Sequence, residues 1–167
     1  MNTQNSNNPQ FFGAILNSIA DPVFVKDNNF QFIYVNDSLC KMLGIERENI
    51  IGKTLGESLP QDQMKHFLEI DKMVIDSGQV NISEEPLTGK EGKILTIITK
   101  KTRYIDEKGN KFIVGIMHDD TKRKVAEETI KNKIIELENV NKLMVGRELK
   151  MVELKKEIEA LKKSTPA

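Results

Sequence analysis

Apolar and polar residues alternate in short runs over the first 120 positions of this chain, and then give way to apolar steps of three and four. After Pro9, residues Phe11, Phe12, Ile15, Leu16 and Ile19 fall at helical spacing. They predict a short amphipathic helix whose apolar face needs a partner surface. Asp21-Pro22 ends it, because a residue before proline is pushed out of the helical region. Val23 to Asp27 and Phe30 to Asn36 read as two antiparallel strands around a tight turn at Asn28-Asn29. Asn36-Asp37-Ser38 then caps a short helix with Leu39, Met42 and Leu43 inward, stopped by Gly44, and a further turn from Glu46 to Ile51 stops at Gly52. Between Gln61 and Ser77, the recurrence of Met64, Phe67, Leu68, Ile70, Met73, Val74 and Ile75 predicts the longest helix of this part, ended by Gly78. Val80 to Leu87, Lys93 to Ile105 and Lys111 to His118 are strand-like, separated by turns rich in Gly and Asp/Asn at 88–92 and 106–110. Two strands, several helices and three strands with short turns predict an α+β domain: a five-stranded antiparallel sheet with helices on one face.

The stretch His118 to Lys124 joins that domain to one long charged helix. Asp119, Asp120 and Thr121 all suit a helix N-terminus. The first turn nevertheless holds Lys122, Arg123 and Lys124, whose charge opposes the helix dipole. Asp119, Asp120, Thr121 and Arg123 are therefore the candidate signal relay. If helical throughout, residues 121–163 span about 65 Å. Ile130, Ile134, Leu137, Asn141 and Met144 step by four and three, and Met151, Leu154, Ile158 and Leu161 do likewise. Each set is a two-stranded coiled-coil seam, and Asn141 would fix its register. The two sets are out of phase, so a break or stutter is expected near Gly146. A parallel homodimer is the expectation, with a hairpin at Gly146 as the alternative. The domain division is then a disordered tail over 1–8, the folded domain over 9–120, the helix over 121–163 and a tail over 164–167.

Composition narrows the class. The 167 residues carry 25 basic and 25 acidic side chains, so nothing global argues for nucleic acid or an anionic membrane. Residues 1–120 are net −4 and residues 121–167 net +4. No apolar run reaches the ~18–20 residues of a membrane span. A single cysteine excludes an intrachain disulfide framework. The N-terminus lacks the order of a signal peptide, and a cytoplasmic protein is expected.

The order of elements resembles the PAS domain, and particular residues carry the resemblance. Ile19-Ala20-Asp21-Pro22-Val23-Phe24-Val25-Lys26-Asp27, Phe32-Ile33-Tyr34-Val35-Asn36 and Leu43-Gly44-Ile45 look like the opening of a PAS sensor. Ile51-Gly52-Lys53-Thr54, Glu84-Glu85-Pro86-Leu87-Thr88 and Gly109-Asn110 continue it. Asp119-Asp120-Thr121-Lys122-Arg123 is similar to the family's Asp-x-Thr-x-Arg ending. The helix around Val145 to Ile158 resembles the connecting helices that follow PAS domains in bacterial and archaeal signalling proteins. The resemblance implies a PAS fold, a pocket under the helices, and sensing or dimerisation upstream of a histidine kinase, cyclase or similar output.

Specific chemistry is harder to place. The flavin-adduct sensors of the family need a cysteine in an Asn-Cys-Arg-Phe-Leu-Gln motif, and the matching region, about Ile51 to Leu59, has none. Cys40 reads as a small core residue. Haem is disfavoured because His66 falls one residue out of register with the family's iron ligand and Phe67 takes that position. The cofactor stays unassigned. His118-Asp119 lacks the helix and downstream proline of a kinase phosphoacceptor, and Gly52-Lys53-Thr54 has Arg47 where a phosphate-binding loop needs its first glycine. Two histidines and one cysteine make no zinc set, and no catalytic constellation stands out. Leu39, Met42, Leu43, Phe67, Ile70, Met73, Ile97 and Ile116 are the candidate ligand-pocket residues, with plain core packing as the competing reading. The expected function is a sensory module that relays ligand or partner binding to the coiled coil. Its output is a separate signalling partner or a domain missing from this chain. The alternative is a stimulus-independent dimerisation adaptor with a filled core, and the chain is also compatible with a non-catalytic piece of a sensor kinase.

Overall fold

The computed structural model describes residues 8–54 and 59–164, with side chains to position 160. The strands are β1 (Val23–Lys26), β2 (Phe32–Val35), β3 (Asn81–Thr88), β4 (Ile94–Ile105) and β5 (Lys111–Asp119). The α-helices are α1 (Pro9–Ser18), α2 (Asp37–Leu43), α3 (Gln61–Ser77) and α4 (Thr121–Ser164). The sheet runs β2-β1-β5-β4-β3 with every pairing antiparallel. Short turns join β1 to β2, β3 to β4 and β4 to β5, which forces those neighbours antiparallel. The long connection from β2 to β3 carries α2 and α3 across one face.

The core lies between that face and those helices. Leu39 and Leu43 from α2 and Phe67 and Ile75 from α3 pack with Phe24, Phe32, Leu87, Leu95, Ile97 and Ile113 from the strands. Strand alternation decides which strand residues take part. On β5, Ile113, Gly115 and Met117 turn inward, and Ile116 between them is 42% exposed. Ile116 is therefore not a pocket residue. Neither is Met73, which is 47% exposed while its neighbour Val74 is fully buried, since one residue turns a helical side chain by ~100°. Gly115 is needed for contact: a Cβ there would lie 2.0 Å from Phe24 Cζ.

The second strand begins later than the pattern predicted. Asp27 Oδ1 accepts from the backbone N–H of Asn29 and of Gln31, and Phe30 N–H bonds Asp27 O. This closed turn places Phe30 at φ +62°, so pairing starts only at Phe32. The boundary was missed because an aspartate side chain, not the Asn-Asn pair alone, sets the turn.

Helix α1 buries none of its residues, and Phe11, Phe12 and Ile15 are exposed. Its C-terminal end is held by polar bonds. Fully buried Asn36 donates from Nδ2 to the carbonyls of Leu16, Ile19 and Asp21, at 3.1, 3.3 and 2.9 Å. Its Oδ1 accepts from Val23 N–H and, as the cap of α2, from Leu39 N–H. Asn36→Ala removes a cap and strands several buried groups. A loss of about 2–3 kcal/mol is expected in urea unfolding; a loss below ~1 kcal/mol would show that water replaces the amide.

The predicted tail over 1–8 falls outside the described residues except for Asn8, which caps α1 by accepting from Gln10 N–H. Helix α4, a unit in its own right from Arg123 onward, runs through Gly146 without interruption. The hairpin at that glycine does not form. One helical glycine costs only ~1 kcal/mol against alanine, too little to end a helix with turns on both sides. Along α4, Ile130, Ile134, Leu137, Asn141, Met144, Met151, Leu154 and Ile158 are exposed. Leu161 lies in the helix beyond the last described side chain. No described helix is long and apolar enough to cross a membrane.

Candidate functional site

Three charged residues sit where the period of their element calls for apolar ones. Lys26 shares the inward face of β1 with Phe24, and Lys101 follows Leu95, Ile97 and Thr99 on the inward face of β4. Asp71 stands four residues after Phe67 and three before Val74 on the buried stripe of α3. Their exposures are 4%, 2% and 0% for Lys26, Lys101 and Asp71. Lys26 Nζ donates to Asp71 Oδ2 at 2.6 Å, and Lys101 Nζ donates to Oδ1 at 2.7 Å. One carboxylate thus bridges two ammonium groups and ties α3 to both β1 and β4. Aromatic faces take part of the remaining charge: Lys26 Nζ lies 4.5 Å from the Phe32 ring centre and 5.6 Å from that of Phe24, and Lys101 Nζ lies 5.5 Å from that of Phe67. Burial pulls the Lys26 ammonium below its ordinary value, the Asp71 carboxylate opposes this, and Lys101 adds to the pull.

A second buried acid flanks the cluster. Glu85 on β3 has a side chain only 2% exposed, and its Oε2 lies 3.3 Å from His66 Nε2 on α3. That contact is not aligned as a hydrogen bond, and Glu85 Oε2 and Thr99 Oγ1 are buried without a hydrogen-bond partner among the described residues. His66 is half exposed, and Phe67 beside it faces the interior.

A cavity of ≈ 30 Å³ lies under α3, next to the cluster. Lys26 and Lys101 line it together with Phe24, Phe32, Met117 and other apolar side chains. Of the predicted pocket residues, Leu39, Leu43 and Phe67 line it. Ile70 and Ile97 are buried elsewhere in the interior, and Met42 is half-buried against the core. The charged members escaped the sequence reading, although one signal was present: a lysine or aspartate standing in phase with an apolar stripe in three separate elements.

The joint to α4 is a hydrogen-bonded knot. Asp119 Oδ1 accepts from Thr121 N–H at 3.0 Å. Thr121 Oγ1 accepts from Thr96 N–H at 2.9 Å, and Asp120 N–H donates to Thr96 O at 2.9 Å. Both backbone groups of Thr96 on β4 are therefore given to the start of α4. Asp120 is buried. Hydrogen bonding from the Thr121 hydroxyl holds the Asp119 carboxyl below its ordinary value, helped by the Thr121 N–H and by Lys93 and His118 nearby. Arg123 pairs with Glu127 one turn along, which answers part of the dipole conflict noted in the sequence. Thr96 was missed because nothing in a strand's pattern shows which carbonyl a helix start will find.

The remaining motifs take structural places. Gly52 N–H donates to Phe32 O and Phe32 N–H to Lys53 O, so Gly52-Lys53 extends along the edge of β2. His118 is a strand residue whose Nδ1 lies 3.1 Å from Asp21 Oδ1. Cys40 is half-buried against the core. No group of three or more His, Cys, Asp or Glu residues able to hold a metal occurs among the described residues.

A five-stranded antiparallel sheet, helices packed over one face and a last strand running into a long helix define an α+β domain of the PAS type. The family model for the PAS fold matches residues 10–119, and the chain belongs to that family. It is 34% identical over 122 residues to the uncharacterized protein y4lL of Sinorhizobium fredii (strain NBRC 101917 / NGR234), aligning 71% of this chain with 15% of that protein. The chain thus spans about one seventh of that relative's length. Among solved structures it is similar to the PAS domain of Bordetella pertussis BvgS, with TM-score 0.60 and 18% identity over 76% of this chain and 96% of that one. A PAS domain from a two-component sensor histidine kinase gives TM-score 0.54 and 21% identity, over 66% and 94%. The Vibrio cholera VqmA–ligand–DNA complex gives 0.60 and 22%, over 68% and 51%. At these identities the structures speak for the fold alone.

Proposed function

We propose that this PAS domain is a sensory and signal-transduction module, cytoplasmic and regulatory rather than catalytic. It passes a change in its sheet to α4. Helix α4 pairs with α4 of a second copy as a parallel coiled coil, and the output is a further domain or a partner protein. The observation that carries this reading is the joint. Asp119 is at once the last residue of β5 and the acceptor for the first N–H of α4, and Thr96 of β4 holds the same turn from the other side. A displacement of either strand changes the hydrogen bonding at the helix start. The exposed apolar seam of α4 supplies the surface for pairing.

The test is Asp119→Ala. Loss of a cap weakens a helix by about 1 kcal/mol, so a rise of about fivefold in the dimer dissociation constant, with reduced helicity, is expected. Unchanged values for both would sink the relay. Protonation gives a second readout. A carboxyl held below its ordinary value stabilises the fold above that value, and the contribution disappears as pH falls through the folded one. Dimerisation should therefore weaken below about pH 4, and Asp119→Asn should remove that component.

One observation favours the adaptor reading: among the described residues, the cavity that Lys26 and Lys101 line measures only ≈ 30 Å³. A metabolite the size of a nucleotide has no room there. Native mass spectrometry of the purified protein separates the readings, since a retained small molecule favours the sensor. Thermal stability that ignores a metabolite panel favours the adaptor.

A further inference from the structure

We propose that the cavity beside Lys26 and Lys101 binds a small carboxylate, of formate or acetate size. This deepens the sensory reading above and rests on it for any effect on α4. Four observations converge. Lys26 and Lys101 are the only ionisable residues among the described residues lining the cavity; neither Asp71 nor Glu85 reaches it. Each ammonium has three N–H groups, and only one from each is given to Asp71. Two buried cations share that one carboxylate through hydrogen bonds; buried Glu85 acts on Lys26 only through space and sets its Oε2 3.3 Å from His66 Nε2. Volume then selects size: ≈ 30 Å³ holds two or three waters at about 10–15 Å³ each, so two or three heavy atoms, which matches formate and makes acetate, one atom larger, the upper limit.

A carboxylate matches this wall. Its two oxygens meet two ammonium groups in charge-assisted hydrogen bonds, and its hydrogen or methyl faces Leu39, Leu43 and Met117. Bound there, it also opposes the desolvation that weakens the Lys26 charge. Met117 gives the route outward, because it lies on the cavity wall and two residues before Asp119 on β5.

The experiment titrates the full chain with sodium formate, acetate, chloride and benzoate at constant ionic strength. It follows the thermal midpoint and the ¹³C resonance of labelled formate. A saturable midpoint rise of about 3 °C with formate or acetate is expected, without one for benzoate, which is too large. Lys101→Met should weaken formate binding at least about tenfold; if that variant does not fold, Lys26→Met and the wild-type titration decide. Waters alone in the cavity, meaning no saturable response to formate or acetate at 100 mM (about physiological ionic strength or below), would overturn the proposal. So would an equal response to chloride, or unchanged affinity in a folded Lys101→Met. The two readings fail separately. Formate binding with an unmoved dimer constant keeps the site and removes the relay. A dimer constant that responds to Asp119→Ala without formate binding removes the site and keeps the relay.

Discussion

Replacing Asp71 with asparagine is expected to destabilise the domain by about 3–5 kcal/mol, the usual cost of breaking a buried charged group by removing one partner. Asp71 has no exposed surface and receives both Lys26 and Lys101. An amide of nearly the same shape can accept through one oxygen only, and it leaves two ammonium groups in the interior without a hydrogen-bonded counter-charge, Glu85 acting only through space. The aromatic faces of Phe24, Phe32 and Phe67 return only a few kcal/mol at most. A loss of this size is a large fraction of the ~5–15 kcal/mol available to a domain, so Asp71→Asn should unfold at much lower urea. The combined replacement of Lys26 and Lys101 by methionine and Asp71 by leucine tests the cause. With all three charges gone, and Glu85 replaced by glutamine in the same variant because it is buried beside them, no desolvation of charge remains to be offset, and stability should return to near wild type or above it. Urea midpoints followed by circular dichroism give both values. An asparagine variant within ~1 kcal/mol of wild type would mean that the lysines shed their protons and the cluster carries little charge.

That pair of variants also separates what a fold needs from what a function keeps. An apolar trio would serve the core at least as well as Lys26, Asp71 and Lys101, so stability alone does not account for the cluster. Its presence is explained if the two ammonium groups have a further partner, and the cavity lies at the place where one would sit.

Much of the architecture was legible because it rests on local chemistry. Gly44 and Gly78 end α2 and α3 in left-handed conformations at φ +70° and +72°, and the alternation in Lys111 to His118 gave β5 nearly its full length. Of these two stops the PAS resemblance used one, in Leu43-Gly44-Ile45. The interior site was less legible, since inward direction had to be known in three elements at once. Met73 and Ile116 are apolar but point outward, while Lys26 and Lys101 are charged and point inward. Composition of a strand does not reveal this; its register against a neighbour does. At Gly146 the propagation of the turns on either side outweighs the local glycine penalty, so the hairpin alternative fails while the helix continues.

Leu137→Lys is expected to raise the dimer dissociation constant by about 100-fold to 10,000-fold. Leu137 is 68% exposed on α4, and in a parallel pair it meets its own copy across the seam. Burying one leucine side chain is worth ~1.5–3 kcal/mol, so two are lost together, about 3–6 kcal/mol, and two like charges are brought face to face. Glu136→Lys changes net charge by two, twice as much, one residue away on the outward side of the same turn, and should shift the constant by less than about tenfold. Sedimentation equilibrium on the two variants therefore distinguishes a seam contact from a general charge effect. Asn141, one step further along the seam, gives the complementary result. Asn141→Leu should tighten association while admitting states above the dimer, because a polar residue at that position trades stability for a single register. If Leu137→Lys leaves the dimer intact, pairing runs through another surface, such as the exposed Phe11, Phe12 and Ile15 of α1, and the signal from Asp119 would have no shared helix to travel along.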